Sequence, residues 1–255
     1  PDEALVALMV NEIDAVDGVS VEDVRAIEGD RVDPDLTALA LLAEVAESNA
    51  GERPTTRVTA LAELDGRLYA AGMFTTIGGV PANRIAVWDP AAGSGVGAWS
   101  ALGSGVNGGV ETMLGVGGRL YVGGSFTTAG GGSASRIAVW DPAAAGGAGA
   151  WSAVGSGTNG TVWSLAVHEA QVVVGGDFTV AGGVAAARVA RLDPSTGIWS
   201  SMGVGFNDIV RAVHVGSTGL HVGGDFTASG AISTRRIARW DPTAGGGAGG
   251  WVRKG

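Results

Sequence analysis

From residue 58 onward, short apolar stretches are separated by turn residues. In the first part of this region they fall at 58–64, 67–74, 84–88 and 99–102, lengths that suit strands rather than helices. Asp65-Gly66 is a tight-turn signal between the first two. The second gap carries Gly78-Gly79 with Pro81, and the third carries Asp89-Pro90 followed by Gly and Ala. Four strands with a turn at each join is the pattern of one propeller blade.

The same unit returns four times. Its marker reads Gly72-Met73-Phe74-Thr75, then Gly124-Ser125-Phe126-Thr127, Gly176-Asp177-Phe178-Thr179 and Gly224-Asp225-Phe226-Thr227, so the phenylalanines lie 52, 52 and 48 residues apart. Arg84, Arg136, Arg188 and Arg236 keep the step, as do Asp89, Asp141, Asp193 and Asp241, each followed by proline, and Trp99, Trp151, Trp199 and Trp251. A period of about 40–50 residues with β character predicts a propeller. The expected fold is therefore all-β, a β-propeller of four four-stranded blades at 58–109, 110–161, 162–209 and 210–255. The four blades either form the whole ring or a partial one. The glycine pairs at 123–124, 175–176 and 223–224 fall inside the second strand, which implies close approach of a neighbouring strand or a packed aromatic ring.

Before residue 58 the pattern changes. Leu5, Leu8, Met9 and Ile13 share one helical face, Gly18 ends that helix, and Val19, Val21 and Val24 continue as a strand. Asp33 and Pro34 open a second helix over 36–47. The run from Asn11 to Val24 resembles the tail of a small amino-acid-binding regulatory domain of the ACT type, over about half of such a domain and without its earlier strands. A capping segment is the plainer reading of residues 1–50, with 51–57 as linker.

Charge separates the two parts. Residues 1–57 hold 14 of the 25 acidic residues and 4 of the 16 basic ones, a net −10, whereas the remainder holds 11 acidic and 12 basic, a net +1. The repeats carry 43 of the 46 glycines. Lys254 is the only lysine and four arginines recur once per repeat, so no basic patch for nucleic acid is expected. The absence of cysteine excludes disulfides, thiolate metal sites and cysteine nucleophiles. No signal peptide is visible, and the most apolar stretch, 36–45, is too short to span a bilayer and contains Glu44. The sequence reads as a fragment or a processed form.

The segments Leu120-Tyr121-Val122-Gly123-Gly124-Ser125-Phe126-Thr127, Arg136-Ile137-Ala138-Val139-Trp140-Asp141 and Trp151-Ser152-Ala153-Val154-Gly155 through Gly160 resemble the Kelch-like propeller repeats of bacterial surface and secreted proteins. Similar repeats occur in the extracellular part of fungal cortical marker proteins. The resemblance covers 58–255 and implies a propeller at the cell surface or outside the cell. It does not choose a ligand, because such folds bind unrelated partners. Four blades is the low end of the propeller range. The segment before Val58 also lacks a fourth-strand motif that would complete the last blade. Either an open arc or half of an eight-bladed ring closed by a second copy, a homodimer, is therefore expected.

Residues present once per repeat are expected to build blades. The recurring arginine would stack on a tryptophan or bond a turn carbonyl. Asp of each Asp-Pro caps a turn, the phenylalanines are core, and Asn107, Asn159 and Asn207 supply left-handed or side-chain-bonded turns. Asp177 and Asp225, in the slot of Met73 and Ser125, lack the spacing of a calcium loop. His168, His214 and His221 have no partners at metalloprotease spacing, and the Gly-Ser-Gly loops at Ser104 and Ser156 are turns rather than nucleophile elbows. No metal or cofactor is expected.

The informative positions are those where the repeats disagree. The second residue of each first strand is Thr59, Glu111, Trp163 or Arg211. If the first strand is innermost, these four ring the channel mouth with His214 one step inside, and they suit a protein or carbohydrate ligand. Drift at exposed positions is the competing explanation. The expected function is a non-catalytic binding or adhesion module. A glycan-active enzyme would need two facing carboxylates, and Glu111 has no obvious partner among Glu63, Asp65, Glu169, Asp177, Asp208 and Asp225. A scaffold that only joins chains is the third alternative.

Overall fold

A computed structural model describes residues 57–253. The helix–strand–helix segment and ACT-like run expected at 1–50 lie outside the described residues. Blade 1 contains β1 (Val58–Leu64), β2 (Arg67–Gly72), β3 (Thr76–Ile77), β4 (Val80–Pro81), β5 (Ile85–Asp89) and β6 (Ala98–Ala101). Blade 2 contains β7 (Val110–Val116), β8 (Arg119–Gly124), β9 (Thr128–Ala129), β10 (Gly132–Ser133), β11 (Ile137–Asp141) and β12 (Ala150–Ala153). Blade 3 contains β13 (Val162–His168), β14 (Gln171–Gly176), β15 (Val180–Ala181), β16 (Val184–Ala185), β17 (Val189–Leu192) and β18 (Trp199–Ser201). Blade 4 contains β19 (Val210–Gly216), β20 (Gly219–Gly224), β21 (Ala228–Ser229), β22 (Ile232–Ser233), β23 (Ile237–Asp241) and β24 (Gly250–Arg253).

Each blade is a four-stranded antiparallel sheet in the order first, second, fifth, sixth strand, and the third and fourth strands form a small separate hairpin. The protein is an all-β, four-bladed propeller. The small hairpins occupy the Gly78-Gly79 gap and its repeats, which the sequence pattern marks only as loops. The Gly/Ala segments at 91–98, 143–150 and 243–250 contain short turns at Ala92–Gly95, Ala145–Gly147 and Gly245–Gly247 that include left-handed residues such as Gly93, Ser94, Gly146 and Gly246.

The first strands are innermost, for β1 packs against β7, β7 against β13 and β13 against β19. Three core clusters fill the seams between successive blades, around Phe126, Phe178 and Phe226, each at most 1% exposed. A fourth, around Phe74, Ile77 and Ala86, lies on the outward side of blade 1. Among the described residues, no cluster joins blade 4 to blade 1. The seams depend on glycine where a neighbour comes close: a Cβ on Gly123 would meet Val162 Cγ1 at 2.5 Å, and one on Gly175 would meet Val210 Cγ1 at 2.7 Å.

The repeated polar residues tie loops to strands. Arg84 and Arg136 take left-handed backbone (φ 65° and 66°) and donate to the Val106 and Thr158 carbonyls at 3.2 and 3.1 Å. Those carbonyls belong to the loop leading into the next blade, so each guanidinium bridges a seam. Arg188 donates to the Phe178 carbonyl and Arg236 to that of Asp225. None of the four stacks on a tryptophan among the described contacts. Asp89, Asp141, Asp193 and Asp241 accept the backbone N–H two residues on, at 2.8–3.0 Å. Asn107, Asn159 and Asn207 accept two N–H groups twenty and twenty-one residues ahead and donate to the threonine of the marker motif.

Candidate functional site at the inner strand ends

The first strand of every blade opens with a β-bulge. Val58 pairs with Gly72 and Ala60 with Ala71, so Thr59 is the extra residue, and the same break isolates Glu111, Trp163 and Arg211. A bulge bends its strand and re-aims one side chain. Thr59, Glu111, Trp163 and Arg211, which differ in all four repeats, are therefore structurally equivalent bulged residues, one per innermost strand.

The bulge also explains the second glycine of each marker. A Cβ on Gly72, Gly124, Gly176 or Gly224 would collide with the carbonyl oxygen of Arg57, Gly109, Thr161 or Ile209, the residue entering the first strand. That carbonyl is held in place by the N–H of Met73, Ser125, Asp177 or Asp225 at 2.7–2.9 Å. Tight backbone contact here leaves no room for any side chain.

The row divides into two halves. Arg211 and Trp163 are joined, with the guanidinium carbon 5.5 Å from the indole ring centroid. Arg211 also donates through Nε and Nη2 to Asp225 Oδ2 at 2.9 and 2.6 Å. That hydrogen bond holds the Asp225 carboxyl below its ordinary pKa and raises Arg211, with Asp208 and Asp177 adding to the latter. Arg236 lies 4.0 Å from Asp225, and Arg188 Nε lies 3.5 Å from Asp177 Oδ1. Trp163 Nε1 is buried without a hydrogen-bond partner among the described residues.

In the other half, the Thr59 hydroxyl is directed at the Val110 carbonyl, which locks blade 1 to blade 2 beside Glu111. Burial pushes the Glu111 carboxyl above its usual range, and Arg57 opposes that shift. Among the described residues no second carboxylate acts on it. His214 is exposed and sits farther along β19, paired across the ladder with His221, away from the bulged residue of its strand. His221 is buried and His168 lies 3.8 Å from Glu169. Among the described residues no group of three or more His, Asp or Glu side chains could hold a metal ion, and no helix is long and apolar enough to cross a membrane.

The raised Glu111 pKa has a sign that can be tested. A carboxyl that binds its proton more tightly folded than unfolded destabilises the fold as pH climbs from its ordinary pKa through the raised, folded-state one. Glu111→Gln is therefore expected to raise the melting temperature at neutral pH and to have no effect in acid, where both forms are neutral. Thermal melts of the two proteins across pH check this.

The residues that sequence reasoning did not pair are Arg211 and Asp225. Their proximity was available, since Val210 pairs with Gly224, but it needed the register.

Comparison with known proteins matches the fold. The model of the Rax2 C-terminal beta propeller domain matches residues 115–218, and that of a domain of unknown function (DUF5122) described as beta-propeller matches 64–86. No curated protein matches. Among solved structures, the computationally designed Ika4 protein is similar at 18% identity, over 68% of this chain and 89% of that one, with a TM-score of 0.45. The designed Ika8 protein is similar at 17% identity, over 74% of this chain and about half (54%) of that one, with a TM-score of 0.46.

Proposed function

We propose that the protein is a non-catalytic interaction module, acting at the cell surface or outside the cell, that holds a peptide segment or a carbohydrate at the inner ends of its blades. One observation carries the reading: a position at which all four blades differ is the one that the bulge turns out of the ladder in each of them. A scaffold residue recurs in every blade, whereas Thr59, Glu111, Trp163 and Arg211 offer a hydroxyl, a carboxyl, an indole and a guanidinium at equivalent places. Trp163 supplies a half-buried indole face beside the Arg211 guanidinium. Glu111, isolated from any second carboxylate, suits hydrogen bonding to a ligand better than paired acid–base chemistry.

Screening the full chain against a peptide library and a glycan array tests this. Arg211 and Asp225 form an exposed pair, and such pairs contribute little to stability. Arg211→Ala and Trp163→Ala are therefore expected to lower affinity for a recovered ligand at least tenfold, with the Arg211 variant melting like the parent. Ligands whose affinity is indifferent to all four bulge positions would overturn the proposal.

A further inference from the structure

Each seam between blades follows a rule of knobs and seats that the two outer faces leave unfinished. At the seams, Val162 presses on Gly123 and Val210 presses on Gly175. The next seat in the series is Gly223, where a Cβ would meet only the Arg236 carbonyl, at 3.8 Å. The knob without a seat is Val58, the blade 1 equivalent of Val162 and Val210. Ile237, beside Gly223 in the ladder, is 41% exposed although its equivalents Ile85, Ile137 and Val189 are completely buried.

The two open faces also fit in size. Between blades 1 and 2, bulky Leu64 lies over Gly115: a Cβ there would meet the Glu63 carbonyl at 3.0 Å and Leu64 Cδ1 at 3.3 Å. At the ends of the row the sizes are exchanged. The equivalent of Leu64 in blade 4 is Gly216, and the equivalent of Gly115 in blade 1 is the exposed Glu63. His214 stands over Gly216, its Nε2 3.0 Å from where a Cβ would be, and Arg239 lies on the same face. An acidic knob on blade 1 thus faces an open seat rimmed by basic groups on blade 4.

We propose that the outer face of blade 4 receives the outer face of blade 1 from a second copy of this chain, with Val58 seated on Gly223 and Glu63 over Gly216 beside His214. The contact is head-to-tail, so each copy offers one face and uses the other. Two copies that reciprocate close a ring of eight blades, within the range of propellers. The contact depends on the seams and not on the ligand row, so it stands or falls separately from the proposed function.

Light scattering after size exclusion on the full chain is expected to give twice the 25.2 kDa chain mass. Gly223→Leu fills the seat at a place where a Cβ meets only the Arg236 carbonyl among the described residues, at an ordinary contact distance of 3.8 Å. It is expected to return the mass to 25.2 kDa with the circular dichroism of a folded chain retained and the melting temperature lowered only by the lost association, and Val58→Ala, which trims the knob without placing a charge on the blade 1 cluster, is expected to weaken the dimer from the other side. A series of larger multiples that collapses in Gly223→Leu would equally support the contact, as an unclosed chain of copies. A monomer at high micromolar concentration, with Ile237 protected by residues 1–56, would overturn it. So would a dimer that both variants leave intact.

Discussion

Phe178→Ala is expected to destabilise the protein by about 3–5 kcal/mol, the usual cost of removing a fully enclosed aromatic ring. Phe178 is 1% exposed and belongs to the seam cluster with Val162, Leu165, Val174 and Leu192. Its ring fills the space that a side chain on Gly176 would need, with Cδ1 2.8 Å from that Cβ position. Its carbonyl accepts both the backbone N–H and the guanidinium of Arg188. The lost ring therefore leaves a cavity that backbone contacts prevent from collapsing. A shift of the denaturant midpoint at constant slope measures the effect. The residue before the marker phenylalanine of blade 1 gives the control: Met73 is 63% exposed, and Met73→Ala should stay within about 0.5 kcal/mol of the parent.

The second large effect is expected at Gly124, and it joins fold to site. Gly124 has ordinary extended backbone, so the objection to a side chain is space alone. Its Cβ would coincide with the Gly109 carbonyl oxygen, which is fixed by the Ser125 N–H at 2.9 Å. Overpacking against a flexible side chain costs about 1–3 kcal/mol; here the obstacle is backbone, and Gly124→Val should reach or exceed the top of that range. Because relief requires moving residues 109 and 110, the bulge at Glu111 should be displaced too, and ligand affinity should fall together with stability. Gly66→Ala separates conformation from crowding. Gly66 has φ 73° and open space around it, so its cost is the left-handed penalty of about 1–2 kcal/mol alone. Equilibrium unfolding of the three proteins distinguishes the cases.

The blade plan was legible because each repeat states it again: apolar runs of strand length, Asp-Gly or Gly-Gly at the joins, and markers that keep one step. The observed strands differ from those runs by one or two residues, as where β6 runs Ala98–Ala101. What escaped the sequence depends on register. A bulge inserts a residue without altering composition, so Thr59, Glu111, Trp163 and Arg211 were visible as the variable set but not as residues excluded from pairing. The arginines before each fifth strand read as strand residues because alternation seemed to continue through them, yet arginine bears φ above 60° there. In blades 1 and 2 the guanidinium then reaches a carbonyl across the seam, and in blades 3 and 4 one within its own blade. The small hairpins were too short to show any period.

The indoles of the outer strands give the molecule an optical label. Trp88 with Trp99, Trp140 with Trp151, and Trp240 with Trp251 hold their rings 5.5, 5.4 and 5.1 Å apart at steep angles. In blade 3 the matching partner of Trp199 is Leu192. Chromophores so close and so inclined share their excited states, and the circular dichroism of such a pair vanishes once the rings separate. Blades 1, 2 and 4 therefore report their own integrity in the spectrum while blade 3 is silent. Leu192→Trp would give it a signal, and removing one indole of a pair would silence any other blade, so the order in which blades come apart can be followed without attaching a dye.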